Sequence, residues 1–267
     1  MAVKTLTYGT LTCQQAEGLA APHCFTTRLG GVSRGHLQSL NIGIHRGDDW
    51  ENVLKNYEIL GNLLGFDPKN AVLSTQTHSD IVRVAGRPEA GAGLYAPELS
   101  PCDGLITNTP GLALVVFTAD CTPILLWDEK TGAVGAVHAG WRGTAARIGE
   151  KAVQAMAKAF GSNPRDIHAA IGPNIGACCF ETDEDVPAAM RAALGGEAEP
   201  FIRSAGSKYY VDLKGINARI LKEAGVGQVE VSSLCTHCDE TLFWSHRRTG
   251  SLRGSQGAVI VAGEVER

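Results

Sequence analysis

The sequence predicts a single domain, residues 1-267, of the α+β class, and three observations support it. Short runs rich in Val, Ile and Leu recur at strand length, other segments repeat apolar residues at helical spacing, and no linker, internal repeat or low-complexity tract separates them. At 267 residues the chain is long enough to bury a substantial core.

Residues 1 to 22 read as one or two edge strands. Phe25-Thr26-Thr27 reads as a short strand ending in Arg28, followed by a Gly30-Gly31 turn. That turn either aims backbone N–H groups and the Arg at an anion or is an ordinary surface loop. Asp48 or Asp49 caps a predicted helix from Trp50 to about Leu64, with Val53, Tyr57, Leu60 and Leu64 inward. Ala71 to Ser74 and Ile81 to Val84 read as strands flanking Thr75-Gln76-Thr77-His78-Ser79-Asp80, where His78 is a candidate ligand or general base, or a hydrogen-bonded structural residue. Arg87 to Pro101, rich in Gly, Ala and Pro, reads as a mobile connection.

The centre of the chain is the stretch Leu112 to Arg147. Its apolar runs Leu112 to Thr118, Pro123 to Trp127 and Ala133 to His138 read as a buried hairpin presenting Asp120, Cys121 and His138 at one end. Thr144 is the expected cap of a helix with Ile148, Ala152, Met156 and Phe160 inward, which sets Arg142 beside a helix N-terminus. Strands follow at Ile167 to Ile171, Lys208 to Asp212, Val229 to Ser232 and Ala258 to Ala262, with helices over Asp183 to Leu194 and Leu213 to Ala224. The adjacent pair Cys178-Cys179 reads as small buried residues, since neighbours face one metal poorly. Cys235-Thr236-His237-Cys238 has no second C-x-x-C at ligand spacing, which leaves a closed zinc site with little support. Phe243 to Arg248 is an exposed basic turn or a lid that contacts phosphate.

Composition narrows the function classes. A net charge of -4 offers no electrostatic footprint for nucleic acid or an anionic membrane, and no apolar run approaches the ~20 residues of a membrane span. The N-terminus lacks the apolar core of a signal peptide, and 8 Cys in a chain of this length suit free thiols, so a cytoplasmic protein is expected. His78, Cys121 and His138 each end a strand-like run, so a sheet can bring them together as metal ligands. Two imidazoles and a thiolate suit Zn²⁺ and leave a fourth position for water or substrate. The competing chemistry pairs Cys121 as a thiolate nucleophile with His138.

The segments FTTRLGGVSRG, SLNIGIHRGDD, QTHSD, DGLITNTPGLALVVFTADCTPILL, GAVHAGWRGT, IGPNIGACCFE and CTHCDETLFWSHRRTG stand here in the order found in the YfiH/YlmD family. By these motifs the chain resembles that family, also called laccase-domain or polyphenol oxidase proteins and peptidoglycan editing factors, which includes purine nucleoside phosphorylases related to human FAMIN. The resemblance implies a four-layer α/β/β/α sandwich of the YfiH-like type, with zinc on His78, Cys121 and His138. It implies phosphorolysis of adenosine, inosine, guanosine or methylthioadenosine, and deamination of adenosine by water that the metal acidifies. The expected partners are a nucleoside and phosphate, with no nucleic acid and no membrane; no oligomeric state is implied. Cys121, His138 and Asp120 are the expected catalytic residues, Asp120 as a proton shuttle, while Arg28, Asn41 and Arg142 are the expected substrate and phosphate contacts.

One departure is visible. Where the family usually reads G-R-Q or G-R-M, this chain has Gly254-Ser255-Gln256, and Arg253 is the candidate replacement for the missing Arg. Three rivals stand beside the phosphorylase: a cysteine-type amide hydrolase acting on peptidoglycan precursors, a copper polyphenol oxidase, and a metal-stabilised binding protein without turnover. Against copper, the 8 His include no H-x-H pair.

Overall fold

The computed structural model describes residues 2–263; Met1 and 264–267, which the single-domain expectation includes, lie outside the described residues. In chain order the elements are β1 (Val3–Tyr8), β2 (Leu11–Ala16), β3 (His23–Thr26), α1 (Trp50–Leu64), β4 (Ala71–Leu73), β5 (Val82–Val84), β6 (Gly104–Thr107), β7 (Ala113–Thr118), β8 (Thr122–Asp128) and β9 (Val134–Ala139). They continue as α2 (Trp141–Ala145), α3 (Ile148–Phe160), β10 (Ile167–Ile171), β11 (Glu181–Thr182), α4 (Asp185–Leu194), β12 (Ile202–Ala205), β13 (Lys208–Val211), α5 (Leu213–Glu223), β14 (Gln228–Val231), α6 (His246–Thr249) and β15 (Gln256–Val261).

Two six-stranded sheets, ordered β1-β2-β3-β15-β7-β4 and β14-β10-β8-β9-β6-β5, pack face to face, and a three-stranded sheet β11-β13-β12 lies apart. Each large sheet is covered on both faces, which explains why its central strands are apolar throughout rather than alternating. Leu114 and Val116 of β7 meet Leu125 of β8 and Ala136 of β9 between the sheets. The intervening Ala113 and Val115 point outward to α1, while Ile124, Leu126 and Val137 point outward to α3. The layers are therefore helix, sheet, sheet, helix, as the family resemblance implies.

The strand runs of the central stretch do not form one hairpin. β8 pairs antiparallel with β9, but β7 pairs with β15 and β4 in the opposite sheet. The chain crosses between sheets at Asp120, whose φ of 93° lies in the left-handed region that Asp tolerates better than most residues. This crossing delivers Cys121 to the mouth between the layers.

Helix α1 matches its periodicity: Val53, Tyr57, Leu60 and Leu64 are buried, and Gly65 at φ 75° ends it. Asp49 is its N-cap without a side-chain cap bond, and Asp48 beside it accepts from Ser33 and Asn41. The helix expected to be capped by Thr144 is capped four residues earlier by Gly140 and starts at Trp141, and Arg147 at φ 58° separates this short turn from α3. Thr144 is buried and its hydroxyl accepts from Asn217 Nδ2 at 2.9 Å. Arg87 to Pro101 is pinned, not loose: Gly91 N donates to Ala71 O and Leu73 N to Ala92 O, and Leu94 is buried.

His23 of β3 shows how a buried polar group constrains pH stability. Ala16 N–H can only donate to Nε2, at 2.9 Å, so Nε2 is the bare acceptor while Nδ1–H donates to Ala21 O at 2.8 Å. The ring is held neutral, and burial lowers its pKa. A base with a lowered folded pKa contributes stability that is complete above its unfolded pKa of ~6.5 and is lost as the pH falls through the folded value. Denaturant midpoints of wild type are expected to fall on acidification below ~6.5 more steeply than those of His23→Gln, which lacks this titration.

Candidate functional site

Three ends of strands and loops converge where the sheets part. His78 leaves the loop after β4, Cys121 begins at the β7-to-β8 crossing, and His138 sits near the end of β9. Their ligand atoms lie within 4.8 Å of one another, a group able to hold a metal ion. Cys121 Sγ is 3.9 Å from His78 Nε2, and the two imidazoles meet edge to face with centroids 5.0 Å apart. His78 is exposed and His138 is buried, so one side of the group opens to solvent.

Asp103, at the start of β6, organises both histidines, and sequence reading passed over it. Its carboxylate accepts from Thr77 N (3.1 Å), His78 N (3.1 Å), Ser79 N (2.7 Å), Ser79 Oγ (2.7 Å) and His138 Nδ1 (2.7 Å). The turn of successive N–H groups needs His78 at φ 59°, a strained position that the buried carboxylate holds in place. Since His138 Nδ1 donates to Asp103, its Nε2 is left free toward Cys121. The available signal was an acidic residue entering an otherwise apolar run, Cys102-Asp103-Gly104-Leu105.

The electrostatics follow from these contacts. Burial works against the Cys121 thiolate, but the charge and hydrogen bond of His138, joined by His78, outweigh it and bring the pKa down to about 6. Burial likewise opposes a charged His138, yet the Cys121 thiolate and Asp103 raise it to about 9. Asp103, despite burial, is held down at about 2 by His138 and Ser79. A soft anionic sulfur flanked by imidazoles fits a borderline-soft divalent metal, so the donor chemistry is compatible with the zinc that the resemblance implies.

Space around this group is tight at one point. A Cβ on Gly140 would lie 2.9 Å from His78 Cδ2 and 3.4 Å from Cys121 Sγ. Its backbone, at φ -66° and ψ 171°, is open to alanine. Gly140→Ala is therefore expected to fold normally while displacing His78 and weakening metal binding at this site severalfold, read by competitive metal titration; unchanged affinity would show that His78 is not held by this packing.

A cavity of ≈ 480 Å³ opens onto His78, Cys121 and His138, within the range of small-ligand sites. Phe117, Ile175 and Phe180 supply apolar walls, while Arg46, Arg247 and Arg253 supply cations. Arg253 is half-buried with its Nε unpartnered, and burial followed by the like charge of Arg46 lowers its pKa. Two crowded guanidiniums with spare donors describe a place for an anion.

The expected contacts Arg28, Asn41 and Arg142 are not brought to this cavity. Arg28 lies over the Trp244 ring and donates to Gln38 O and Glu240 O. Asn41 is fully buried, bonding Asp48 and the backbone N–H groups of Gly43 and Ser255, which makes it a structural bracket. Arg142 is exposed and lies over its neighbour Trp141. Asp120 does line the cavity, but its carboxylate already accepts from Thr236 Oγ1 (2.7 Å), Ser245 Oγ (3.0 Å) and Arg247 N (2.7 Å). That occupancy suits an anchor for the wall rather than the proton shuttle expected from sequence. Ser255 and Arg253 both line the cavity, so Arg253 occupies the neighbourhood of the departed family Arg.

Comparison with known proteins adds an independent line. Residues 22–263 match the family model described as multi-copper polyphenol oxidoreductase laccase. The chain is 41% identical over 246 residues to a purine nucleoside phosphorylase of Deinococcus radiodurans, covering 92% of this chain and 91% of that protein. It is 38% identical over 240 residues to purine nucleoside phosphorylase YlmD of Bacillus subtilis, covering 88% and 86%. The crystal structure of YlmD from Geobacillus stearothermophilus superposes with a TM-score of 0.92 at 35% identity, covering 98% of this chain and all of that one.

Proposed function

The chain belongs to the multi-copper polyphenol oxidoreductase laccase family, the family of the YfiH and YlmD proteins, and from that membership we propose a zinc-dependent purine nucleoside phosphorylase. The observation that carries the reading is one cavity in which a two-imidazole, one-thiolate metal group faces the Arg46–Arg253 anion pocket. Among the described residues, no helix is long and apolar enough to cross a membrane. The reading places the enzyme in the cytoplasm, where nucleosides, phosphate and reduced thiols coexist.

In phosphorolysis a phosphate oxygen bonds to C1′ of the ribose while the glycosidic C–N bond breaks, its electron pair leaving with the purine, which takes up a proton. Arg253 and Arg46 hold the dianion and Arg247 adds a third cation to the lining, while Phe117 and Phe180 give the purine an apolar berth and exclude water. A zinc ion on His78, Cys121 and His138 would supply Lewis acidity toward a substrate oxygen or nitrogen and would acidify water, which also suits deamination of adenosine. Asp103 keeps the His138 proton on Nδ1 and so leaves the Nε2 lone pair free to bind a metal.

Inosine with phosphate is expected to give hypoxanthine and ribose 1-phosphate, and no hypoxanthine without phosphate. Adenosine, guanosine and methylthioadenosine in the same assay rank the substrates, and ammonia release from adenosine reads deamination. Absence of turnover of all four by zinc-loaded protein sinks the phosphorylase reading. Stoichiometric copper with strong visible absorption replaces zinc with the oxidase alternative. Arg253→Met is expected to raise the KM for phosphate by ~10–100-fold with a smaller effect on nucleoside KM, the loss of one charge-assisted contact being worth ~1.5–3 kcal/mol.

A second reading rests on the same atoms: Cys121, His138 and Asp103 are aligned as nucleophile, base and orienting acid, the constellation of a cysteine hydrolase. Chelation separates the two. Loss of phosphorolysis with a chelator favours the zinc enzyme, whereas amide hydrolysis that survives chelation favours the thiolate nucleophile.

A further inference from the structure

The structure assembles a second thiol cluster that the sequence spacing conceals. Strands β10 and β14 are parallel neighbours, so the loops leaving their C-terminal ends run side by side, tied by Thr236 N to Asn174 O at 2.9 Å. One loop carries Cys178 and Cys179, the other Cys235 and Cys238. The expectation that Cys178 and Cys179 are small buried residues fails: Cys178 is exposed and Cys179 half-buried. The turn in which Cys179 N and Phe180 N both donate to Gly176 O brings the two sulfurs to one side. Cys178 Sγ and Cys179 Sγ lie 3.6 and 3.3 Å from Cys238 Sγ, and all four sulfurs lie within 4.8 Å of one another.

These separations are those of tetrahedron edges, not of bonds. Four sulfurs at ~2.3 Å from a zinc ion stand ~3.8 Å apart, whereas a disulfide needs ~2.05 Å. Cys235 Sγ also receives the Gly176 N–H at 3.2 Å, with the N–H groups of His237 and Cys238 directed at it. Such convergence suits an anionic sulfur. Beneath the turn, Lys214 Nζ donates to Ser232 O and Leu234 O, setting a cation beside the cluster.

We propose that Cys178, Cys179, Cys235 and Cys238 hold a second, structural zinc ion in a closed four-thiolate site that clamps the two loops walling the cavity. Four protein ligands leave no open position, so the ion has no catalytic role. Its role is positional: Ile175 and Phe180 on one loop line the cavity, and Thr236 on the other bonds Asp120. Arg247 ties the first loop to the same carboxylate, donating to Glu181 O at 3.0 Å through its guanidinium and to Asp120 at 2.7 Å through its backbone N–H.

Elemental analysis of protein purified under reducing conditions tests this directly. Two zinc per chain are expected for wild type, one for Cys235→Ser/Cys238→Ser, and one for Cys121→Ala, which isolates the new site from the proposed catalytic one. Should the double variant fail to fold, wild type alone decides: release of two zinc ions, followed with a colorimetric chelator, is expected to coincide with the appearance of five thiols reactive to Ellman's reagent, four from this cluster and Cys121. Immediate reaction of Cys178 and Cys238 in untreated protein with no zinc release overturns the proposal. So does retention of no zinc in Cys121→Ala, or an intact mass short of two hydrogens that marks a disulfide among these four.

Discussion

On the proposed zinc-phosphorylase reading, Cys121→Ala is expected to lose the metal at this site and at least ~10³-fold of kcat/KM for phosphorolysis, about 4 kcal/mol of transition-state stabilisation. The argument is one of coordination. His78 and His138 alone leave two open positions, one more than a catalytic site keeps, and the thiolate is the only anionic donor of the three. The fold is expected to survive, because the crossing between sheets is fixed by Asp120, with its three donors, and not by the thiol. Circular dichroism and thermal midpoint close to wild type, alongside lost zinc at this site and lost ribose 1-phosphate formation, are the expected set. Wild-type activity in Cys121→Ala would remove both the zinc enzyme and the cysteine hydrolase at once, since each needs that sulfur.

What the sequence disclosed divides along physical lines. Helix α1 was legible to the residue because an amphipathic stripe and a left-handed Gly65 are local signals. The partners of β7 and β8 were not, because strands apolar on both faces carry no alternation to say which sheet they join. His78, Cys121 and His138 stood out as reactive residues ending apolar runs, and the sheets bring them together. Choosing cations beside a Gly-Gly turn and a helix N-terminus led to Arg28 and Arg142, whose guanidiniums lie over Trp244 and Trp141; the cavity instead takes Arg46, Arg247 and Arg253. The four-thiolate cluster escaped notice for a topological reason: ligand-spacing rules see one loop at a time, and parallel β10 and β14 join two.

Asp103→Asn tests whether the site is organised from behind. The carboxylate has no solvent exposure and accepts five hydrogen bonds, four from residues 77–79 and one from His138. An amide of the same shape has one accepting oxygen; its NH₂ must face either His138 Nδ1–H and His78 N–H or the Ser79 donors, donor against donor. Whichever way it turns, buried donors lose their acceptor and the charge that balances His138 disappears. A cost of ~3–5 kcal/mol in folding stability is expected, the scale of breaking a buried ion pair, together with a ~10–100-fold loss of zinc affinity at the catalytic site. The pairing of the two losses is diagnostic. Cys121→Ala should lose metal with its stability kept, whereas Asp103→Asn should lose both, because it releases the strained His78 turn and the His138 tautomer together. Denaturant titration and competitive zinc binding on the two variants read this difference. If Asp103→Asn kept wild-type stability and affinity, the loop at 77–79 would have to be held by its own backbone, and His138 would need no fixed proton to present Nε2 to the metal.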